Sequence, residues 1–347
     1  MTRRRIAVIG LGMAVTPHAK SLLDLQDRVE VVCAMSRSEQ RRAAFAAKFP
    51  FPTVASIDTI VADKSISAVG VLTPPNTHLE IVERLARAGK HVLLEKPLDI
   101  TTERAEALVA AGRKARVKIA VCLQHRFRAA AERLAVLLAE NALGKIVACS
   151  TRIPLWRTQA YYDEPGRGVK ARDGGGVLIT QGIHTLDLML SLAGPVEEVC
   201  GYAVTSAVHR METEDLACVA VKFVNDAIGT IEATTAAYPG GPALIDFIGA
   251  KGTASLAGSA LHLRWHDGKS EDMGEESSGG SGADPMAFPH DHHLAVWRDF
   301  LDAIDGDRQP RVSAEEALKV HRLIDAMLEA GESGGKVKVA SSASAPA

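Results

Sequence analysis

The sequence predicts an α/β domain with a parallel sheet, followed by an α+β domain with a mainly antiparallel sheet. Up to about residue 123, short apolar runs alternate with helical stretches, the signature of βαβ units. Beyond about residue 145, β-rich runs succeed one another without helices between them, so neighbouring strands pair antiparallel. A length of 347 residues agrees, being more than one hydrophobic core covers well and comfortable for two.

In the first half the strand candidates are Ile6–Ile9, Val29–Cys33, Ala68–Leu72, His91–Leu94 and Ile119–Cys122. The segments 37–48, 76–89 and 101–116, rich in Ala, Leu, Glu and Arg, read as the intervening helices. The second half offers strands at 145–153, 196–208, 215–224, 227–237, 243–249, 253–257 and 260–266. They are punctuated by turn signals at Asn225–Asp226, Pro239–Gly241 and Lys251–Gly252. One helix, around 176–192, interrupts them. Residues 268–285 are Gly, Ser, Glu and Asp with little apolar content and read as a loop. Two helices close the fold, the second opening at Ser313 with Glu316 three residues on, a capping-box pattern. The tail 341–347 has nothing to bury and is expected to be disordered. The expected organisation is therefore a first domain over 1–123, a second over 124–340, and the tail.

Composition narrows the function classes. The chain is 47% hydrophobic and 24% charged with a net charge of −2, and no basic stripe stands out, so nucleic acid is not an expected partner. No apolar run approaches the roughly 20 residues that cross a bilayer, so no membrane partner is expected either. Arg3–Arg5 followed by Ile6–Ile9 has the outline of a signal peptide, but Pro17, His18 and Lys20 follow without a small-residue cleavage site. The five cysteines, 33, 122, 149, 200 and 218, are odd in number and scattered; a disulfide framework and a structural zinc are both disfavoured, and a cytoplasmic location is expected. His290-Asp-His-His293 has the composition of a metal cluster, but adjacent residues cannot all point at one ion and no distant ligand motif accompanies them. No metal is expected, and a substrate-facing loop or helix cap is the better reading.

Chemistry enters at Gly10-Leu-Gly12-Met13-Ala14-Val15, which follows the first strand and precedes a helix. The first glycine permits the tight turn, and the second lets the backbone approach a pyrophosphate resting on a helix N-terminus, so the first domain reads as a dinucleotide-binding Rossmann domain. Val15 stands where the pattern has a third glycine, which implies looser helix-to-strand packing. After the second strand, where an NAD enzyme places an acidic residue on the ribose, the sequence has Ser36-Arg37-Ser38, then Arg41 and Arg42. A hydroxyl followed by arginines suits a 2′-phosphate, so NADP is expected ahead of NAD.

Two further segments are more specific: Leu72-Thr73-Pro74-Pro75-Asn76-Thr77-His78, and Ala88-Gly-Lys-His-Val-Leu-Leu-Glu95-Lys96-Pro97. With the phosphate loop and the later Gly174-Gly-Gly176…Gly182-Ile-His184 helix, in this order and spacing over nearly the whole chain, they make it resemble the glucose–fructose oxidoreductase, inositol dehydrogenase and rhizopine-catabolism group of NAD(P)-dependent oxidoreductases. The residues fit that resemblance. Thr73 and the prolines end one parallel strand and Glu95-Lys96-Pro97 the next, where open α/β sheets bind ligands. A lysine so flanked is partly desolvated, which lowers its pKa towards acid–base use.

The resemblance implies a cis proline at Pro97, Lys96 hydrogen-bonded to the reacting hydroxyl, Glu95 near the nicotinamide ribose, and His184 as second acid–base group. It also implies cofactor contacts from Thr73, Pro74, Asn76, His78 and Gln124, and a large open sheet that supports oligomerisation as a homodimer or homotetramer. At about 100° per residue, Thr180, His184, Asp187 and Ser191 share a narrow polar stripe on an otherwise apolar helix, which must face partners or a wet cavity. Many members of the group have an acidic residue where this chain has Thr180; a hydroxyl cannot act as a base at neutral pH, which leaves Lys96 the stronger candidate. Arg126, Trp156, Arg157, Tyr162 and Arg172 are the remaining substrate-binding candidates, aromatic faces suiting sugars and arginines suiting carboxylate or phosphate. The implied activity is reversible hydride transfer at a secondary alcohol of a sugar, cyclitol or sugar derivative. The alternatives are an NAD-dependent glycosidase of the same fold and a non-catalytic sensor.

Overall fold

The computed structural model describes residues 3–274 and 289–340. They form two compact units, the first comprising Met1–Gln124 and Met286–Leu318, the second His125–Pro285 and Lys319–Ala347. This corrects the expected division at residue 123 into two continuous domains: a late segment of the chain returns to the first unit. The expectation of disorder over 341–347 falls outside the described residues.

The first unit is built on a parallel sheet of β1 (Arg4–Ile9), β2 (Val29–Met35), β3 (Thr53–Val54), β4 (Ala68–Val71), β5 (His91–Leu94) and β6 (Ile119–Val121), in the order β3-β2-β1-β4-β5-β6. Strands covered by helices on both faces carry apolar residues without alternation, and all four residues of β4 are buried. The order reverses between β1 and β4, which puts the ligand crevice of such a sheet at their carboxyl ends. The returning segment contributes the helix Asp291–Asp305, whose Trp297 is fully buried and packs over Gly70 of β4. Val312 then accepts a backbone hydrogen bond from Val121 of β6. Burial of an indole against the sheet explains why this helix belongs here, although in sequence it follows the second domain.

The second unit carries a nine-stranded sheet: β7 (Ile146–Pro154), β8 (Val196–Val204), β9 (Leu216–Phe223), β10 (Ile228–Thr234), β11 (Leu244–Gly249), β12 (Gly252–Ala257), β13 (Ala260–Trp265), β14 (Ser270–Met273) and β15 (Val337–Lys338). Every neighbouring pair is antiparallel except β10 with β7. β14 corrects the reading of 268–285 as loop throughout; 275–288 lies outside the described residues. The burial of β11 alternates strictly, Ile245 and Phe247 inward and Asp246 and Ile248 outward, as a sheet covered on one face requires. Tyr202, Ile228 and Ile248 stand exposed on the uncovered face.

The helical segment expected near 176–192 is a π-turn at Leu178–Gly182 running into an α-helix at Ile183–Ala193. By length and composition Lys170–Ala193 could cross a membrane, against the expectation that no run in the chain is long and apolar enough. In the fold it is an interior segment, with Leu178, Leu186 and Met189 fully buried. The final helix, Ala314–Ser333, starts as its capping box predicts, with the Glu316 amide donating to Ser313 Oγ at 3.3 Å.

Candidate active site

In the first unit, the loop after β1 is shaped by Gly10. Its φ is +101°, and a Cβ there would stand 2.6 Å from the Leu72 carbonyl oxygen and 2.9 Å from the Thr73 amide, so only glycine lets β1 and β4 end this close together. Around Gly12 a Cβ would meet no atom within 4 Å. The helix Val15–Asp24 starts at Ala14, which offers no side-chain cap; the Val15 amide donates to the Gly12 carbonyl at 3.3 Å and Pro17 has no N–H, so the first turn offers an anion few amides and the helix end contributes chiefly its dipole. Space beside Gly12 at a helix N-terminus is what a pyrophosphate needs, and the residues fit a dinucleotide. Met13, the residue between, is mostly exposed.

Ser36 is buried at the end of β2, with Arg37 and Arg41 exposed beyond it. Ser38 caps the helix Glu39–Ala46 by accepting from the Arg41 amide at 3.3 Å. Arg42 donates to the Ser36 carbonyl at 2.7 Å and to that of Arg37 at 3.1 Å, so this arginine, ranked behind Arg37 and Arg41 from the sequence, lies nearest the end of β2.

At the ends of β4 and β5, His78 couples the two motif loops. Its Nε2 lies 2.8 Å from the Thr73 carbonyl, and its Nδ1 lies 3.0 and 3.1 Å from those of Pro97 and Leu98. Burial pushes its pKa below the ordinary value against the pull of these carbonyls and of Asp99. A fully buried ring wedged between three carbonyls, with one N–H to give when neutral, is a bracket, which corrects its assignment to cofactor binding. Pro74 and Asn76 are exposed, Thr73 and Gln124 half-buried, and the Thr73 and Thr77 hydroxyls are 2.8 Å apart. The Lys96–Pro97 peptide is cis, as the resemblance implies. Lys96 is half-buried, and its amide donates to Glu95 Oε2 at 3.1 Å.

Glu95 Oε1 lies 2.8 Å from His18 Nε2, and His18 Nδ1 receives the Trp297 indole N–H at 3.1 Å. Burial alone would raise the Glu95 carboxyl; the hydrogen bond that it accepts from His18 leads the effects that outweigh burial and bring the pKa to about 2. Cys122 lies on the same carboxylate, and burial followed by that negative charge holds its thiol well above the ordinary range. His290-Asp-His-His293 is divided by the fold. His290 occupies the N-cap position of its helix without a side-chain cap and binds Asp24 at 2.7 Å; His293 is buried edge-on against His18, with burial lowering its pKa to about 4. His18, Glu95, Cys122 and His293 bring four potential ligand atoms within 4.8 Å of one another, a gathering of distant residues that the sequence did not reveal.

In the second unit, the approach to His184 is set by glycine and a buried carboxylate. A Cβ on Gly176 would stand 1.7 Å from the Glu214 carbonyl oxygen, so the chain can pass only without a side chain. The Glu214 carboxylate accepts from the Gly176 and Leu178 amides at 2.9 and 3.0 Å, capping the helical segment from a neighbouring strand end. Burial raises its pKa in spite of these donors. Glu214 was not singled out from the sequence, because its role depends on backbone brought in from elsewhere. The His184 ring stacks on that of His125, centroids 4.9 Å apart.

Several substrate-binding assignments change. Arg126 and Asp187 form a buried two-pronged ion pair at 2.7 and 2.6 Å, which answers the polar stripe with a protein partner and removes Arg126 from the substrate contacts. Tyr162 is also buried, bonded to Thr235 at 2.7 Å, and burial pushes its phenol to about 12. Thr180 Oγ1 lies 2.5 Å from the Gly176 carbonyl and also meets the Gln181 amide oxygen, so its hydroxyl is engaged within its own segment. Arg172 reaches back to the Pro165 carbonyl at 2.8 Å. Trp156 and Arg157 remain half-buried in an aromatic cluster: Trp156 meets Tyr238 edge-on, and the Arg157 and Arg167 guanidiniums lie 5.6 and 4.1 Å from the Tyr161 ring centroid. Tyr161 Oη accepts from Gln181 at 3.3 Å.

The sheet order, the glycine loop and the Glu95-Lys96-Pro97 turn are those of a nicotinamide-dependent oxidoreductase. Residues 4–123 match the model of the oxidoreductase family with an NAD-binding Rossmann fold, and residues 131–255 match the GFO/IDH/MocA C-terminal domain; the chain belongs to the GFO/IDH/MocA family. It is 27% identical to myo-inositol 2-dehydrogenase of Thermotoga maritima over 254 residues, 72% of this chain and 73% of that one. It is 35% identical to 1,5-anhydro-D-fructose reductase of Ensifer adhaerens over 167 residues, 46% of this chain and 48% of that one. Among solved structures, the WlbA dehydrogenase of Bordetella pertussis in complex with NADH and UDP-GlcNAcA superposes with a TM-score of 0.84 at 26% identity, covering 98% of this chain and 100% of that one.

Proposed function

We propose that the protein reversibly oxidises a secondary alcohol of a sugar, cyclitol or sugar derivative, using NADP(H) in preference to NAD(H). The observation that carries the reading is the Glu95-Lys96-Pro97 turn at the carboxyl end of β5, with the partly buried Glu95 carboxylate bound to the Lys96 amide beside the half-buried Lys96 side chain. Gly10, Gly12, Met13 and Ala14 would hold the pyrophosphate, and Ser36, Arg37, Arg41 and Arg42 a 2′-phosphate. When bound, the nicotinamide supplies or accepts the hydride. Lys96 binds the reacting hydroxyl and takes its proton on oxidation, returning it on reduction. His184, stacked on His125, is the second acid–base group in this reading.

The sugar and cyclitol relatives support the substrate class, and the half-buried Trp156 and Arg157 join His184 as groups of the second unit that would contact it. The uncovered sheet face with Tyr202, Ile228 and Ile248 suits a homodimer or homotetramer. Five free cysteines suit a reducing, cytoplasmic setting.

The test is a screen of sugars, cyclitols and nucleotide sugars with both cofactors, followed by Lys96→Met on the substrate found. General acid–base catalysis contributes roughly 10²–10⁴-fold, so turnover should fall by at least about 10²-fold while cofactor affinity changes far less. Near-full turnover in a variant that binds cofactor normally removes Lys96 from the mechanism.

A further inference from the structure

The cluster of His18, Glu95, Cys122 and His293 has the composition of a metal site, and one hydrogen decides against it. An indole nitrogen only donates, so the atom that receives the Trp297 N–H, His18 Nδ1, must present its lone pair. The proton of the neutral ring then sits on Nε2, where it is given to Glu95 Oε1 at 2.8 Å. A metal-bound histidine has the reverse arrangement: one nitrogen carries the ion and the other donates its N–H outward to an acceptor. With a donor in the outer position, His18 could ligate through Nε2 only by losing both ring protons. For the same reason the contact with Glu95 is a hydrogen bond from a neutral imidazole, since an imidazolium would turn a second N–H against the indole.

We propose that Trp297 sets the tautomer of His18, and that the two act as positioning residues that aim the Glu95 carboxylate at the Lys96–Pro97 turn, in place of a metal. One carboxylate oxygen is held by His18 and the other by the Lys96 amide, so the carboxylate cannot rotate without breaking both bonds. His18 and Trp297 are fully buried, so water does not compete for the bond between them. The device ties the returning helix Asp291–Asp305 to the turn that bears the catalytic lysine, and it rests on the role given to Lys96 above.

Nitrogen-15 NMR of the histidine-labelled full chain, without substrate, reads the tautomer directly. The His18 signals, assigned by their loss in His18→Gln, should show a protonated Nε2 and an unprotonated Nδ1. In Trp297→Phe, which keeps an aromatic ring but no donor, they should move to a tautomer mixture. Loss of one hydrogen bond is worth about 1 kcal/mol, so Trp297→Phe should lower kcat roughly fivefold, with a smaller change in substrate KM. His18→Gln, which can still donate to Glu95, should retain more turnover than His18→Leu at equal Tm. A proton on Nδ1 in the wild-type protein, or stoichiometric metal in the protein as purified, overturns the proposal, as does His18→Leu matching His18→Gln. The NMR arm stands whatever Lys96→Met does, so a failed mechanism and a failed tautomer are told apart.

Discussion

Replacing Asp187 by alanine tests the most consequential change that the fold makes to the site. Asp187 receives both prongs of the Arg126 guanidinium, at 2.7 and 2.6 Å, and the two side chains are only 1% and 8% exposed. Deleting the carboxylate leaves a buried cation without its counter-charge, which costs about 3–5 kcal/mol. In a domain of this size each kcal/mol moves Tm by roughly 2–4 °C, so the unfolding transition of the second unit should fall by roughly 6–20 °C. Replacing both partners by leucine removes charge and counter-charge together and should recover most of the loss, because apolar side chains of similar volume can fill such a site at little cost. Thermal unfolding followed by circular dichroism, on the two single variants and the double, closes the cycle. An Asp187→Ala variant that loses less than about 3 °C would refute the reasoning. An Arg126→Lys variant with unchanged Tm and a raised substrate KM would return Arg126 to the substrate contacts.

The Glu95 carboxyl sits at about 2 in the folded chain against an ordinary 4.5. Its contribution is therefore complete above about pH 4.5 and is lost as pH falls towards 2, an effect of about 3 kcal/mol. Glu95→Gln should flatten the acid limb of the stability–pH curve in that window, and an unchanged limb would show that the carboxylate is not held as described. At the other end of the cofactor site, fluorescence titration should give tighter binding of NADPH than NADH, and Ser36→Asp should weaken NADPH by placing a carboxylate beside the 2′-phosphate. Equal affinities, or an NADH preference in the unaltered protein, would sink the arginine argument.

What could be read in the chain alone was whatever depends on neighbours in sequence. The βαβ alternation, the Gly10–Val15 turn, the capping box at Ser313 and the Glu95-Lys96-Pro97 strand end are local patterns, and each lies where it was expected. The seven expected strands of the second unit were legible for the same reason, since β-rich runs broken by turn residues are local patterns. β14 was passed over because its Ser, Glu and Asp residues lie on an exposed edge with no apolar pattern.

The partners of polar side chains were decided only by tertiary structure. Arg126 and His78 look like ligand contacts in sequence, because nothing local shows that Asp187 and three backbone carbonyls will claim them. Glu214 and Trp297 were invisible for the converse reason: each acts on backbone or a side chain far away in the chain, capping the segment before His184 or fixing the proton of His18. The motifs depend on backbone shape and hydrophobic period, which act over a few residues. Whether a buried polar atom serves a ligand or the fold depends on which distant group fills its hydrogen bond, and only folding brings that group into place.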